Sequence, residues 1–380
     1  MEANEQVGPE GVSSKPVVCF LGPISSYTHQ ATMQAFPADR FDLMPVATIK
    51  DIFDTTQSGA ANYGVVPFEN STNGSVVFTL DHFADRSNSY GDLNVCREVY
   101  LDVHHCLVGH IAPALPSPQP PVIETSSAPA LNPTTIAADL RETEEASGSG
   151  QQTPTAQQPH PKAARSRPSH PISHVRRVYS HPQAFGQCTA FLGSWLRGIE
   201  TIDVSSTSRA AELALADPSG ESAAISSAVA AELLGLDVLA RNIEDREDNT
   251  TRFFVLRKGV EGDAPMPLKT DTETETETEL DDSRLLSSTK SLLSFTVPHR
   301  SPGALADVLS CFRRGGLNLT SINSRPSLTG AGPFEYVFFV EFEGHRFQDP
   351  RGRVARVLED VAAVARTSRW LGSFPTSRGN

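Results

Sequence analysis

Two segments of this 380-residue chain have compositions that cannot form a packed core, and they decide where folded units can lie. Residues 111–174 hold twelve of the 28 prolines among Ser, Thr, Ala and Gln. Residues 261–288 contain the run TDTETETETELDD, whose seven carboxylates repel one another. Neither segment buries enough apolar surface to offset the entropy lost on ordering. We therefore predict a disordered insertion, an extended acidic linker and, at residues 1–15, a disordered tail.

The rest of the chain divides into a large unit, residues 16–110 with 175–260, and a C-terminal unit, residues 289–375. In the large unit, strand-like apolar runs alternate with helix-like periodic runs, which predicts an α/β architecture with sheets covered by helices. The predicted strands span 16–21, 63–67, 99–108, 176–180, 222–225 and 251–257. The predicted helices span 26–36, 49–58, 75–83, 182–196, 207–216 and 227–234.

The net charge of −13 lies mostly outside these two units, because the tail, insertion and linker together carry −10. An acidic chain without a basic face disfavours nucleic acid or an anionic membrane as a partner. No apolar run reaches the ~18 residues of a membrane helix, and the N-terminus resembles neither a signal nor a transit peptide. Five scattered cysteines without a C-x-x-C pair fit reduced thiols. We expect a cytoplasmic protein without disulfides or a metal site.

Polar residues at five strand-to-helix junctions are the main functional signal of the large unit. These junctions lie at 22–31, 67–75, 180–183, 205–208 and 226–227. Taken singly, each is explained by ordinary helix N-capping. Free N–H groups at helix starts attract anions, and open α/β sheets bind ligands at the carboxyl ends of their strands. Five such junctions in one unit favour a small carboxylate ligand in a cleft between two lobes.

Four blocks of sequence, in chain order, carry a family resemblance. They are GPISSYTHQA from Gly22, GVVPFENSTNGSV from Gly64, YSHPQAFGQC from Tyr179 and NTTRFFVL from Asn249. In this order they resemble the signature blocks of the prephenate dehydratases. Ser25 and Thr28 stand where the first block of that family usually has Gly and Ser.

The C-terminal unit resembles the ACT regulatory domain of the same family. Its β-α-β-β-α-β order runs from a strand at 292–297 to a helix at 352–366 and a strand at 369–374. The resemblance implies a two-lobed, periplasmic-binding-protein-like catalytic unit of the α/β class, followed by an α+β, ferredoxin-like (βαββαβ) ACT domain. The implied effector-binding residues are Gly303, Ala304, Leu305, Ser324, Arg325 and Pro326. Asn323 replaces the Glu that usually precedes Ser-Arg-Pro.

The activity implied by the resemblance is the decarboxylative dehydration of prephenate to phenylpyruvate in phenylalanine synthesis, with L-phenylalanine as an effector. Electrons from the breaking C–C bond flow directly to the departing hydroxyl, so no cofactor is needed as an electron sink. The sequence contains no dinucleotide-binding, P-loop, G-x-S-x-G or metal-spaced histidine motif. No chorismate-mutase-like helical segment precedes the large unit, which predicts a monofunctional enzyme.

Three alternatives stay open at this point. The first is an arogenate dehydratase, which performs the same chemistry on the aminated substrate. The second is a non-catalytic two-lobed protein that binds a small carboxylate, and the third is an inactive homologue retained as an amino-acid sensor. Since ACT domains commonly pair, a homo-oligomer (dimer or tetramer) is expected.

The matched positions also imply roles for individual residues. Thr251 would act on the leaving hydroxyl, by hydrogen-bond polarisation more readily than by proton donation, because a threonine is a weak acid. The implied substrate-binding residues are Asn70, Ser180, Gln187, Arg252, Ser26 and Glu69. Glu69 would be a general acid if burial raised its pKa, and its alternative is to position Asn70. Asn70 and Ser180 have simple capping as an alternative, and Gln187 has a surface position on a helix.

Arg252 has a bidentate fork suited to a carboxylate, and its alternative is a structural ion pair. The candidate partners are Glu244, Asp245 and Glu247. We expect His181, which precedes Pro182, to hydrogen-bond the turn and not to act in catalysis. Residues 104–106 (His-His-Cys) lie in a predicted strand, where neighbouring side chains point to opposite faces, so they are not expected to share a metal.

Overall fold

The computed structural model describes residues 15–112, 163–259, 286–328 and 333–377. Residues 1–14 of the predicted tail, 261–285 of the predicted linker and most of the predicted insertion lie outside these described residues. The predicted linker extends too far, because Leu286 packs against the core of the C-terminal unit and the carbonyl of Ser288 accepts from the N–H of Thr376. Within the described ranges, no helix is long and apolar enough to cross a membrane. The same ranges contain no group of three or more His, Cys, Asp or Glu side chains placed to hold a metal ion.

The large unit forms two lobes. The C-terminal unit forms a separate sheet with two helices. The first lobe comprises β1 (Val17–Leu21), α1 (Tyr27–Ala35), β2 (Asp42–Val46), α2 (Ile49–Ser58), β3 (Tyr63–Asn70), β4 (Gly74–Ser75), α3 (Val77–Phe83), β5 (Leu93–Asp102) and β11 (Thr250–Lys258). The second lobe comprises β6 (Cys106–Gly109), β7 (Arg177–Ser180), α4 (Pro182–Gly186), α5 (Thr189–Trp195), β8 (Glu200–Asp203), α6 (Thr207–Leu215), β9 (Ser222–Ser226), α7 (Ala228–Leu234) and β10 (Asp237–Ala240). The C-terminal unit comprises β12 (Thr289–Thr296), α8 (Ala304–Gly315), β13 (Leu319–Pro326), β14 (Tyr336–Glu343), α9 (Arg353–Val364) and β15 (Thr367–Pro375).

The sheet of the first lobe has the order β2-β1-β3-β11-β5, with β4 paired to β3. Strand β11 lies antiparallel between β3 and β5, and its apolar residues alternate between two cores. Phe253 and Val255 pack with α1 on one face, whereas Phe254 and Leu256 pack with α2 and the C-terminal unit on the other. Both faces of β11 are covered, which is why it reads as a nearly continuous apolar run.

The sheet of the second lobe has the order β10-β6-β9-β7-β8. The chain crosses between the lobes through residues 103–105, after β5, and through residues 241–249, before β11. The predicted strand at 99–108 was therefore wrong as a single element, because its two ends belong to different sheets. The predicted helix at 182–196 is likewise divided, into α4 and α5, with Gln187 at the break.

The C-terminal unit has the predicted βαββαβ order, with an antiparallel sheet β13-β14-β12-β15. This sheet packs on the first lobe, where the rings of Phe374 and Phe254 lie 5.3 Å apart between centroids. Gly372 has a φ of 139°, and a Cβ there would collide with the backbone of Val95. Only glycine allows β15 to approach β5 so closely.

The predicted insertion, 111–174, extends too far at its C-terminal end. Residues 163–174 are described, and Ala164 and Ile172 pack against the core of the second lobe. The backbone N–H of Ser169 donates to the carbonyl of Leu239, with an N···O distance of 2.7 Å. These residues therefore belong to the second lobe.

Candidate active site

A cavity of about 480 Å³ lies between the two lobes. Four of the five predicted junctions contribute to its walls, through residues within 21–28, 67–78, 181–187 and 205–208. Val103, His105, Asn249, Thr251 and Phe253 complete the lining. The convergence arises because the carboxyl ends of β1, β3, β7 and β8 and the amino end of β11 meet at the space between the lobes.

The fifth junction does not line the cavity. The Oγ of Ser227 caps α7 by accepting from the N–H of Ala230 at 3.1 Å. The same oxygen accepts from the Nε2 of Gln30 in the first lobe at 2.9 Å. This junction therefore bridges the lobes beside the cavity.

Two nine-residue helices from opposing lobes begin at the cavity. Ser26 caps α1, accepting from the N–H of His29 at 3.1 Å while donating to the carbonyl of Leu21 at 2.9 Å. Ser206 caps α6, accepting from the N–H of Arg209 at 3.0 Å. None of the described residues that line the cavity is Asp, Glu, Lys or Arg. An anion in this cavity would be held by helix N-termini and neutral donors.

The carboxamide of Asn70 has its orientation fixed by the backbone. Its Oδ1 accepts from the N–H groups of Thr72 and Asn73, both at 3.0 Å. Its Nδ2 therefore faces the Oγ1 of Thr251 at 2.9 Å and the Oδ1 of Asn249 at 2.8 Å. Because the oxygen of Thr251 accepts this bond, its hydroxyl proton is available to a ligand in the cavity.

A second group of polar side chains continues from Asn249 into the crossing segment. The Nδ2 of Asn249 donates to the Oε1 of Gln187 at 3.1 Å. The Nε2 of His105 lies 2.7 Å from the same oxygen, and its Nδ1 lies 2.8 Å from the hydroxyl of Tyr27. His105 is only 2% exposed, and burial lowers its pKa below the ordinary histidine value. Glu244 accepts from the backbone N–H of His105 at 2.9 Å.

Arg252 was predicted to bind substrate, but its guanidinium lies outside the cavity. It forms ion pairs with Glu98 and Glu341, each at 2.5 Å, at the buried contact between the first lobe and the C-terminal unit. In the β11–β3 ladder, Thr251 is opposite Asn70 and Arg252 is opposite Glu69. Since neighbours in a strand point to opposite faces, Arg252 turns away from the cavity that Thr251 faces.

The alternative prediction for Arg252, a structural ion pair, is confirmed, but the predicted partners are wrong. Glu244 binds His104 and His105, Asp245 accepts from Thr189 and Ala190 at the start of α5, and Glu247 pairs with Arg165.

Two further predicted substrate residues also lie outside the cavity lining. Ser180 is fully buried, and its hydroxyl donates to the carbonyl of Ile225 at 2.9 Å, so it serves the sheet of the second lobe. Glu69 does not line the cavity and lies opposite Arg252 in the β11–β3 ladder. Asn70, Gln187, Ser26 and Thr251 do line it.

A family model described as prephenate dehydratase matches residues 18–117 and 164–261. The chain belongs to the prephenate dehydratase family. A bifunctional chorismate mutase/prephenate dehydratase from Aquifex aeolicus is 30% identical, over 96% of this chain and 75% of that protein. A solved prephenate dehydratase from Arthrobacter aurescens, in complex with L-Phe, is 24% identical with a TM-score of 0.65, covering 95% of this chain and 90% of that one.

A second solved structure, described as a novel type of quorum quenching acylase, is 23% identical with a TM-score of 0.63. The match covers 95% of this chain and 98% of that structure's chain. At these identities the two structures show the fold alone. The fold therefore does not decide between activities, and the prephenate dehydratase family assignment rests on the sequence matches.

The residues predicted to form the effector site of this family lie in two places. Gly303, with a φ of 85°, begins α8, and Ala304 and Leu305 pack against the core of the C-terminal unit. On β13, Ser324 is exposed, whereas Arg325 and Pro326 contact the first lobe.

These β13 contacts reach the wall of the cavity. Arg325 forms a two-bond ion pair with Asp81 of α3, at 2.8 and 2.9 Å. The Oδ1 of Asn323 accepts from the hydroxyl of Ser75 at 2.8 Å, and Ser75 lines the cavity. Asn323 thus forms a neutral hydrogen bond between the C-terminal unit and the cavity wall.

No substrate-binding role was predicted for Asn249, His105 or Tyr27, which all line the cavity. Asn249 and Tyr27 lie inside the recognised blocks, so their position was the available signal. His105 was considered only as a metal ligand with His104. His104 is half exposed while His105 is buried at the cavity, which agrees with the opposite directions expected of neighbouring side chains. The expected turn role of His181 is confirmed, because its Nδ1 accepts from the N–H of Gln183.

Proposed function

We propose that this chain is a prephenate dehydratase, a carbon–oxygen lyase that converts prephenate to phenylpyruvate. The observation that carries the proposal is the orientation of Thr251, whose hydroxyl is aimed into the inter-lobe cavity as a donor by the backbone-fixed amide of Asn70. Membership of the prephenate dehydratase family supports the same activity.

The cavity suits a small dicarboxylate in size and charge. Its volume of about 480 Å³ lies in the range of small-molecule sites. The N-termini of α1 and α6 approach it from opposite lobes, which gives each carboxylate of prephenate a separate positive pole. Among the described lining residues, neutral donors complete the binding, and none is Lys or Arg.

The reaction transfers the electron pair of the breaking C–C bond to the leaving hydroxyl through the ring, and it takes up one proton. The bond from the ring to its carboxylate breaks and releases CO₂, and that electron pair enters the ring. The carbon–oxygen bond to the ring hydroxyl then breaks, the ring becomes aromatic, and a proton from solvent completes the departing water. Thr251 donates a hydrogen bond to the leaving oxygen and stabilises the charge that develops there. The described lining holds no Asp or Glu, so no carboxylic acid there competes with Thr251 for the leaving oxygen.

The lining also favours prephenate over arogenate. Arogenate carries an ammonium group where prephenate carries a ketone, and the described lining offers that ammonium no carboxylate. A buried cation without a partner is costly. We therefore expect kcat/KM for prephenate to exceed that for arogenate by at least about tenfold, or ~1.4 kcal/mol.

The experiment incubates the purified full chain separately with prephenate and with arogenate and measures phenylpyruvate and phenylalanine formation. Turnover of prephenate with the expected preference supports the proposal. Product from arogenate alone would assign the chain to the aminated substrate, and product from neither would overturn the enzymatic assignment. Hydrolysis of N-acyl amides is measured in parallel, and we expect none.

We also propose that the C-terminal unit is an ACT regulatory domain that responds to L-phenylalanine. Its βαββαβ fold and its contacts with the cavity wall support this role. The hydrogen bond from Ser75 to Asn323 is the shortest polar path described between β13 and the cavity lining. Effector binding near 324–326 would act on the substrate site through it.

Replacing Asn323 by Leu is expected to weaken feedback inhibition. The change removes the acceptor of the Ser75 hydroxyl, so the phenylalanine concentration for half-inhibition should rise at least about fivefold, while kcat without phenylalanine stays within about twofold. The matched control is Asn318→Leu, which removes a bond to Glu343 inside the C-terminal unit, 3.2 Å long. Equal inhibition curves for the two variants would contradict the proposed path.

A further inference from the structure

The hydrogen-bond chain behind the cavity has a direction that can be followed atom by atom. It begins at the backbone N–H groups of Thr72 and Asn73, which can only donate. The side-chain oxygen of Asn70 must therefore face them, and its Nδ2 must donate onward. The Oδ1 of Asn249, 2.8 Å away, is consequently an acceptor.

The orientations of the next two amides follow from that of Asn70. Since the oxygen of Asn249 faces Asn70, its Nδ2 faces Gln187 and donates to Oε1 at 3.1 Å. The carbonyl oxygen of Gln187 is therefore turned away from the cavity, towards Asn249 and His105. Among the described residues, the Nε2 of Gln187 forms no hydrogen bond. Its two protons are available to a ligand.

This direction determines the protonation of His105. Its Nε2 lies 2.7 Å from the Oε1 of Gln187, which is an acceptor, so Nε2 must carry a proton. In the neutral ring Nδ1 is then an acceptor, and the hydroxyl of Tyr27 donates to it at 2.8 Å. The alternative acceptor for Tyr27, the carbonyl of His104, is more distant at 3.2 Å.

The surroundings of His105 favour this neutral ring in a fixed place. The side chain is 2% exposed. Its backbone N–H is held by Glu244, whose other oxygen contacts the Nδ1 of His104. The Tyr27 and His105 rings meet edge to face, with centroids 5.8 Å apart. A second donor thus reaches Gln187 from the segment that connects the lobes.

We propose that His105 is a positioning residue that, as the Nε2–H tautomer, locks the carboxamide of Gln187 so that its N–H₂ group faces the substrate. The inference rests on the proposed function only for the identity of that substrate. Two donors on one carbonyl oxygen, from Asn249 and His105, make the flipped amide unfavourable. A flipped amide would present an oxygen to an anionic ligand.

Three variants test the lock. His105→Phe removes both ring nitrogens, and kcat/KM for prephenate is expected to fall about 10- to 100-fold, the cost typical of a misplaced binding group. His105→Gln supplies an N–H₂ near the position of Nε2 and should recover activity to within about fivefold of the native chain. In a double-mutant cycle, His105→Phe should add little to Gln187→Ala, because both act through one amide.

A merely structural histidine would give another pattern, in which His105→Gln is as damaging as His105→Phe and the losses from His105→Phe and Gln187→Ala add. A histidine that exchanges protons in catalysis would lose activity in both His105 variants, and the acid limb of the pH profile would disappear. Either result would overturn the assignment.

A readout independent of activity uses protein labelled with ¹⁵N-histidine. The His105 resonances, assigned by their absence in His105→Gln, are expected to show the Nε2–H tautomer. Tyr27→Phe is expected to keep this tautomer, because the Oε1 of Gln187 remains the acceptor of Nε2–H. An Nδ1–H tautomer in the native chain would refute the lock even if prephenate were turned over. If the chain showed no dehydratase activity but His105 were the Nε2–H tautomer, the proposed positioning of Gln187 by His105 would stand. Prephenate would then be ruled out as the substrate.

Discussion

Replacing Thr251 by Val is expected to lower kcat for prephenate about 10²- to 10³-fold, the usual cost of removing one hydrogen-bond donor from a developing oxyanion. The change keeps a β-branched side chain in β11 and removes only the hydroxyl. KM should change little, because the bond from Thr251 strengthens only as charge develops on the leaving oxygen. Single-turnover measurements with saturating prephenate separate this chemical step from binding.

Two neighbouring changes make the result specific. Thr251→Ser keeps the hydroxyl and should retain activity within about tenfold of the native chain. Thr250→Val is the matched control, because the hydroxyl of Thr250 donates to Asp102 at 2.6 Å and does not line the cavity. If Thr251→Val kept near-native turnover, or lost no more than Thr250→Val, the leaving hydroxyl would have to be polarised by another group.

The position of Thr251 on β11 could be predicted in part from the sequence. The two-residue period of a strand already separates Thr251 and Phe253 from Arg252 and Phe254. Applied to this block, it would have shown that Thr251 and Arg252 cannot both face one ligand. The period does not say which face meets the ligand. That is decided by the C-terminal unit, which covers the face of Arg252 through contacts far away in the chain.

The strands that sequence patterns missed share a position in the fold. β2, β8 and β10 each lie at the edge of a sheet, are four or five residues long and are partly exposed. An edge strand has a neighbour on one side only, and its apolar pattern is correspondingly weak. The very short β4 belongs to the same sheet as β2 and was also missed. Of the central strands, β1, β3, β7, β9 and β11 were predicted to within three residues, whereas β6 was merged with β5.

The junction residues show the corresponding limit for the site. Ser26, Ser180, Ser206 and Ser227 have the same local signal, a small polar residue before a helix. In the structure Ser26 and Ser206 line the cavity, whereas Ser180 bonds within its own sheet and Ser227 bridges the lobes. Local patterns therefore predict a cleft between lobes, and the packing of the lobes determines which caps reach it.

Replacing Arg252 by Met is expected to lower the free energy of unfolding by about 3–5 kcal/mol, the range for breaking a buried ion pair. The guanidinium lies 2.5 Å from both Glu98 and Glu341, and the side chains of these acids are 0% and 1% exposed. The variant leaves two buried carboxylates with Lys290, which is 3.2 Å from Glu341 and 3.9 Å from Glu98. The matched control is Arg246→Met, whose pair with Asp248 is partly exposed and should contribute at most about 1 kcal/mol.

The pH dependence of unfolding gives this prediction a second measurement. Burial pushes the pKa of Glu341 upwards, but the attraction of Arg252 and Lys290 outweighs this effect and holds the pKa below its ordinary value of 4.5. The stabilisation from Glu341 is therefore complete above about pH 4.5 and is lost as the pH falls through the lowered folded-state pKa. Without Arg252 that pKa rises, so the acid loss of stability should shrink in Arg252→Met. If denaturant unfolding gave Arg252→Met and Arg246→Met equal losses and equal acid limbs, the ion cluster would not hold the C-terminal unit against the first lobe.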